Sequence, residues 1–389
     1  MRILMINSVC GIRSTGRICT DLAEVLAEKG HVCKIAYGRE SVPEKYKKYA
    51  VRIGSDLGVK INGVKARLFD NEGFNAACAT KKFIKWVKEY DPDVIHLHNL
   101  HGYYINITML FDYIKESGKP VVWTLHDSWA FTGHCACIPE DCHKWERECY
   151  ECHKYKAYPM SYKDCSKKNY VNKRLIFTGA DNMTIVTPSK WLSKMTTRSF
   201  FKGANVKVVN NGIDLDVFCP TKSSFREEYG LENKKIVLGV ASAWGKGKGL
   251  LDFFKLAEVL DEGYKIVLVG LTKEQLSEIP QNIIGITRTN DTKELAAIYT
   301  TADIFVNLTY NDNYPTVNLE AQACGTPVIT YRTGGSVESV PDDCVIEQGN
   351  VRALAEKIIA GDAKCKKGLI LDKKNMLEQY INIYNMIKK

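Results

Sequence analysis

The sequence lacks any apolar run of the roughly 18–20 residues that a helix needs to cross a bilayer, so no segment reads as a membrane span. Its first residues do not read as a secretory leader. MRILMINSVCG has one arginine and a short apolar run that ends at Asn7, too brief for the apolar core of a signal peptide. A buried first strand and a cytoplasmic location, extending to a peripheral position at the inner face of the membrane, are the expectation. GxxxxGK[ST] is missing, which excludes a P-loop, and GxGxxG is missing, which excludes the dinucleotide fingerprint. No low-complexity tract or short repeat occurs. No nucleic-acid-reading motif accompanies the net charge of +9, so nucleic acid is not an expected partner.

What is present is a soluble-protein composition, 45% apolar and 25% charged, in a chain of 389 residues, long enough for two domains. The charge is uneven. Residues 1–205 hold 32 Lys and Arg against 21 Asp and Glu, and the remainder holds 22 against 24. By charge alone the basic half suits an anion, whether a phosphate, an acidic lipid surface or nucleic acid, or is a solvated surface with no such role. Lys81–Lys88, KKFIKWVK, reads as a basic amphipathic helix that could dock on anionic lipid, or as an ordinary surface helix.

Short apolar runs alternate with helical periodicity. Arg2–Ile6, His31–Tyr37, Val94–Leu97, Val121–Leu125 and Met183–Val186 read as strands, with a helix over Ile18–Lys29 stopped by Gly30. The pattern restarts with strands at Ile236–Val240, Ile266–Val269, Ile304–Asn307 and Val328–Thr330, and helices at Gly249–Leu260, Glu294–Thr300 and Val317–Ala323. Continuous rather than alternating apolar strands imply parallel sheets covered on both faces. The fold expected is α/β, with two Rossmann-like doubly wound domains facing across a cleft and joined near Asn210–Pro220.

Three features of the second half suit a nucleoside diphosphate. Ala243–Gly249, AWGKGKG, follows a strand and opens a helix, so its glycines, Lys246 and Lys248 can approach phosphate closely. In NDNYPTVNLEAQACGTPV, Pro315 starts a helix whose Thr316, Val317, Asn318 and Leu319 amides can bind phosphate. Glu320, one turn inside, can accept ribose hydroxyls, and Asp312 stands eight residues before it. Gly334-Gly335-Ser336, with Glu338 beyond, supplies another glycine turn at a strand end.

In order, NGID, the Lys/Gly loop, Asp312-(x7)-Glu320 within a proline-started helix and GG resemble the retaining GT-B glycosyltransferases of family 4. The resemblance continues in Gly16, DPDVIHLHN, TLHD and TPSKWL, and so covers nearly the whole chain. The wording YPTVNLEAQACGTPVITYRTGG looks most like enzymes of bacterial capsule, exopolysaccharide and O-antigen synthesis. It implies an acceptor-binding domain over 1–212, a donor-binding domain over 213–373, and a final helix at 374–389 packing back on the first domain. Lys248 would contact the donor diphosphate, helped by Gly16, Arg17, Lys246 and Arg288. Glu320 would hold the ribose, and His126 and Asp312 would sit near the transferred sugar. His98, Asn99 and His101, clustered with His96 after a strand, are expected to meet the acceptor, a glycan or lipid-linked glycan. The sequence departs from the family at Ala243, where an arginine is frequent, and at Asp312, where glutamate is usual. No DxD motif stands in a suitable place, so transfer with no cofactor is expected.

Fourteen cysteines occur. Cys10, Cys19, Cys33, Cys78 and Cys324 lie in apolar stretches and read as buried thiols. Within a cysteine-rich insert at 134–165, Cys135, Cys142, Cys149 and Cys152 stand at zinc-ligand spacings, with Cys137, His134, His143 and His153 as substitutes. Structural zinc, free thiols and disulfides are the three readings. Two further functional classes stay open: a nucleotide-sugar isomerase or epimerase of the same fold, and a catalytically inactive nucleotide-sugar-binding homologue.

Overall fold

Near-continuous apolar strands can hide both faces only between layers of helices, and each half of the chain does this separately. The computed structural model describes residues 1–139, 141–364 and 372–388. Glu140 of the cysteine-rich insert, residues 365–371 of the expected second domain and the final Lys389 lie outside the described residues. One unit comprises Met1–Val209 with Leu377–Lys389, and the other Asn210–Met376.

The first unit runs β1 (Arg2–Asn7), α1 (Arg13–Glu28), β2 (Val32–Tyr37), β3 (Ala50–Arg52), α2 (Asp56–Phe69), α3 (Ala77–Tyr90) and β4 (Val94–Leu97). It continues with α4 (Ile107–Ser117), β5 (Val121–Thr124), α5 (Ser166–Phe177), β6 (Met183–Thr187), α6 (Lys190–Arg198) and β7 (Asn205–Val208). Its sheet is ordered β3-β2-β1-β4-β5-β6-β7. β1 pairs in parallel with β2 and β4, Ile3 lying beside Cys33 on one side and Val94 on the other. Ile3, Leu4, Met5 and Ile6 are fully buried, as a central parallel strand requires. α1 begins earlier than the periodicity at Ile18 predicts. Its first turn, RSTGR, is polar and carries no apolar repeat. Gly16 therefore lies on a helix and not in the preceding loop.

The second unit runs α7 (Phe225–Tyr229), β8 (Lys235–Val240), α8 (Leu250–Val259), β9 (Tyr264–Val269), α9 (Lys273–Leu276), β10 (Ile283–Ile286) and α10 (Thr292–Thr301). Then come β11 (Ile304–Asn307), α11 (Thr316–Ala323), β12 (Val328–Tyr331), β13 (Val345–Ile346), α12 (Val351–Ala360) and α13 (Lys373–Ile387). Its parallel sheet is ordered β10-β9-β8-β11-β12-β13.

From Leu377 onward α13 belongs to the first unit. Tyr380 and Tyr384 are buried there. His96 joins them to the sheet: Nδ1 lies 2.6 Å from the Tyr384 hydroxyl and Nε2 2.8 Å from Thr124 Oγ1, which donates to Tyr380 at 3.1 Å. Burial holds the His96 pKa down to about 3, so the ring is a neutral link in this chain. It is turned to α13, away from the open strand end where the cluster of three histidines and Asn99 was expected to point.

Cys10, Cys19, Cys33 and Cys324 are buried, but Cys78 is exposed, because the second residue of α3 lies on its outer side. Beneath the insert, α5 buries Lys173, whose Nζ donates to Trp129 O at 2.8 Å and Thr132 O at 3.1 Å and sits 3.5 Å from the Trp129 ring centroid. Burial pushes its pKa down to about 7 against the pull of Asp70 and other acidic groups. The folded amine is then neutral above about pH 7, while an unfolded lysine stays protonated to about 10.4. The unfolded chain binds the extra proton, so stability should rise with pH across that window, at up to about 1.4 kcal/mol per unit from this group. Urea midpoints at several pH values from neutral to alkaline should show the rise, and Lys173→Met should flatten it. Parallel slopes in the two proteins would refute the assignment.

Candidate functional site

Strand order in the second sheet reverses between β8 and β11, and the loops leaving their carboxyl ends diverge there, opening a crevice. The β8 loop carries Lys246–Lys248 as a short helical turn, and the β11 loop carries Asp312. Lys248 Nζ donates to Asp312 Oδ2 at 2.8 Å and to Thr309 Oγ1 at 3.4 Å. Tyr310 N donates to Gly247 O at 2.9 Å, stitching the two loops together, and Gly335 N donates to Asp312 O at 3.1 Å, adding the β12 loop. Three motifs separated by long stretches of sequence thus meet at one sheet edge.

Two further groups fix this edge. Gly249 turns the chain into α8 at φ +72, and a Cβ there would stand 2.4 Å from Leu308 O, a backbone atom that cannot swing away. Asp252, buried in the first turn of α8, accepts from the Tyr310 hydroxyl at 2.6 Å, Tyr331 at 3.1 Å and Lys255 at 3.0 Å. The only sequence signal for it is an acid inside the apolar stretch LLDFF. Gly249→Ala should therefore cost about 2 kcal/mol or more through its left-handed backbone and the contact with β11. Thermal unfolding should show a lower transition together with weakened nucleotide binding. A normal transition and normal binding would show that the turn relaxes freely.

α11 starts directly after Pro315, whose φ of −71 suits a helix entry. No side-chain hydrogen bond caps this end and its first turn holds no acid, so its positive pole suits an anion. The Asn318 amide bonds Pro315 O at 3.3 Å. The Asn318 side chain is committed to the interior, accepting from Asn307 at 2.8 Å and donating to Ser339 at 2.9 Å, and Leu319 is buried in the core. These two positions offer backbone alone. Glu320, half-buried one turn in, accepts from the Tyr299 hydroxyl at 3.1 Å on Oε2. Tyr299 is fully buried and holds the carboxylate in a set direction. Lys246 and Arg288 are exposed on loops, Arg17 is exposed on α1, and none of the three forms an ion pair among the described residues.

The first sheet reverses order between β1 and β4. Asn7, a buried polar residue ending β1, donates to Val9 O at 2.8 Å and Thr15 Oγ1 at 3.2 Å and accepts from Asn99 N at 3.3 Å. Gly11 N donates to Gly16 O at 3.1 Å, so Gly16 closes the β1 loop against α1. His98 Nδ1 and His126 Nε2 are 3.0 Å apart, while His98 Nε2 is buried with no partner among the described residues. Burial lowers His126 to about 4, which makes it a neutral hydrogen-bonding group near pH 7 and a weak base. His101 has both ring nitrogens engaged, 2.9 Å from the Tyr158 hydroxyl and 2.8 Å from Asp127 Oδ2. Burial opposes its charge, but Asp127 prevails and raises its pKa. Its place is in the interior beside Trp129.

The four zinc-spaced cysteines line one cavity of about 20 Å3. Cys135 Sγ and Cys152 Sγ are 3.5 Å apart, and the hydrogen bond from Cys135 holds the Cys152 thiol down to about 6. Among the described residues, however, no group of three or more His, Cys, Asp or Glu forms a metal-holding set. The zinc reading, one of the three, therefore finds no ligand set among the described residues. Cys135 and Cys149 are buried while Cys142 is only partly so, and the insert is fastened by carboxylates instead. Asp70 accepts from His134 and from Cys165 N, both at 2.6 Å, and Asp164 accepts from Cys152 N at 2.8 Å and Ser166 N at 2.9 Å.

Residues 15–217 match the family model described as Glycosyltransferase Family 4, more than half of the chain. The chain belongs to glycosyltransferase family 4. Residues 221–360 match a second model, Glycosyl transferases group 1. This family-4 glycosyltransferase is 24% identical over 411 residues to WcaC of Escherichia coli, a protein named for colanic acid biosynthesis glycosyl transfer, with 99% of each chain covered. It shares its GT-B-like two-domain fold with sucrose-phosphate synthase of Thermosynechococcus elongatus (TM-score 0.72, 16% identity, 99% and 98% of the two chains covered). The same holds for Anabaena HepE solved with UDP (TM-score 0.67, 15% identity, 99% and 100% covered).

Proposed function

We propose that this family-4 glycosyltransferase moves a sugar from a nucleoside diphosphate sugar to a glycan or lipid-linked glycan in bacterial surface polysaccharide synthesis, with retention and without a metal. The observation that carries the donor reading is the Lys248–Asp312 contact of 2.8 Å at the switch point, beside the open end of α11. An ammonium and a helix terminus together suit a diphosphate. Glu320 accepts the ribose hydroxyls, with Tyr299 as its positioning residue. Asp312 holds Lys248 before the donor arrives and lies near the transferred sugar afterwards. In the first unit, His98, Asn99 and His126 serve the acceptor and the sugar, and His101 supports them from beneath. The WcaC relationship supports surface polysaccharide synthesis, and the UDP held by HepE makes UDP the first nucleotide to test.

Transfer breaks the bond between the anomeric carbon and the phosphate oxygen, and forms one from that carbon to the acceptor oxygen. Negative charge grows on the departing diphosphate, where Lys248 and the Thr316–Leu319 amides oppose it. The proton leaves the acceptor hydroxyl for a departing phosphate oxygen. A His126 pKa near 4 accords with this route, because so weak a base contributes hydrogen bonding rather than proton removal. The isomerase and inactive-homologue readings are not favoured, since both matching models describe glycosyl transferases.

A thermal-shift panel of UDP, GDP and ADP tests the donor half. One diphosphate should raise stability by about 2.7 kcal/mol when present at roughly 100 times its Kd, and the matching nucleotide sugars should release that diphosphate slowly. No shift with any of the three, and no release, would overturn the assignment.

A further inference from the structure

The helix expected from sequence to meet lipid has its apolar side occupied. In α3, Phe83 and Val87 are buried, and Ile84 and Trp86 pack against the same core, so Lys81–Lys88 presents only its polar side. α2 is reversed. Leu57, Ile61, Val64 and Leu68 are 68%, 48%, 56% and 49% exposed, and Phe69 is exposed beside them. At about 100° per residue these four side chains fall within roughly 60° of arc, in a line about 16 Å long. Lys60 and Arg67 flank the line on one side and Lys65 on the other, all exposed. The helix is seated through its small side: Ala66 is buried, Val59 packs on the core, and Asn62 Nδ2 donates to Tyr103 O at 3.0 Å. Asp56, the single acid of the helix, is paired with Arg52 at 2.5 Å. Exposed Tyr162 follows Ser161, whose hydroxyl donates to Arg67 O at 3.0 Å, and extends the patch.

We propose that α2 is the surface by which this enzyme lies on an anionic lipid bilayer, its apolar line sunk among the acyl chains and Lys60, Lys65 and Arg67 at the headgroups. A row of apolar side chains left in water and bordered by cations on both sides has the composition of an interfacial helix. A second copy of the chain fits poorly: a two-fold contact through this face would bring the two sets of cations together. Among the described residues no helix is long and apolar enough to cross a membrane, so lying on the surface is the mode α2 serves. The inference deepens the reading of a lipid-linked acceptor but is carried by α2 itself.

The test is sedimentation of the full chain with phosphatidylcholine vesicles, with and without phosphatidylglycerol. Binding should appear with the anionic vesicles and weaken with salt. Ile61→Glu/Leu68→Glu should reduce partitioning at least about 10-fold. Lys60→Ala/Lys65→Ala/Arg67→Ala should reduce it roughly 100-fold at low salt, at about fivefold per cation. Because these side chains are exposed, the variants should keep the wild-type thermal transition and UDP shift, and Lys82→Ala/Lys85→Ala on α3 should lose far less binding. Absence of vesicle binding, loss carried by the α3 variant instead, or self-association without vesicles that Ile61→Glu/Leu68→Glu abolishes would overturn the proposal. A normal UDP shift in those cases would leave the donor reading standing.

Discussion

Lys248→Ala is expected to lower kcat/KM for sugar transfer by about 10³-fold, the scale seen when a preorganised charge is removed from a developing anion. The side chain is 39% exposed and its pair with Asp312 is reachable by water, so the ion pair adds little to stability and the variant should fold. The ammonium matters most when the anomeric bond breaks and the leaving diphosphate gains charge. Most of the loss should therefore fall on kcat rather than KM. Removal also leaves Asp312 beside an incoming diphosphate without its cation, a like-charge contact that weakens donor binding further. Lys248→Arg should recover part of the rate, and Lys248→Ala/Asp312→Ala should bind UDP better than Lys248→Ala alone. Initial rates with the nucleotide sugar found by the thermal-shift panel would check this, and near-normal turnover in Lys248→Ala would remove Lys248 from the site.

Glu320→Ala is expected to cost about 10²- to 10³-fold in kcat/KM, with a clear loss of nucleotide affinity. Two hydroxyls donating to one carboxylate are charge-assisted hydrogen bonds, each worth about 1.5–3 kcal/mol. Ribose is bound in the ground state as well as in transfer, so KM for the donor should rise more than kcat falls, the opposite division from Lys248→Ala. Tyr299→Phe removes the hydroxyl 3.1 Å from Oε2 and should produce a smaller change of the same kind, since the carboxylate remains but loses its fixed direction. Calorimetric titration with UDP separates the two residues. A Glu320→Ala variant that binds UDP like the parent would refute the ribose assignment.

The elements of the proposed donor side could be read from the sequence because each is written locally. Lys248 among glycines, Pro315 at a helix start and Glu320 one turn later each carry their meaning within a few residues. Asp252, Tyr299 and Asn7 were not legible. Each acts through a partner far along the chain, as Asp252 does through Tyr310 and Tyr331, and no short window records that. The histidines in and just after β4 show the same limit. HLHNLH suggested three equivalent histidines, yet His96 is joined to Tyr384 and His101 to Asp127, and of these three only His98 keeps a buried nitrogen without a partner among the described residues. Cysteine spacing was ambiguous in a related way. It suggested a ligand set, while Asp70 and Asp164 fasten the same insert by hydrogen bonds.

By itself the sequence determined the parallel α/β architecture, because uninterrupted apolar strands have no other stable arrangement, and it determined the family through ordered motifs along nearly the whole chain. Tertiary structure decided which side chains are available. The basic helix at Lys81–Lys88 turned its apolar face inward, and α2, read from sequence as nothing in particular, kept Leu57, Ile61, Val64 and Leu68 in water. Periodicity reports that a helix has an apolar face; only the packing of its neighbours fixes whether that face is covered.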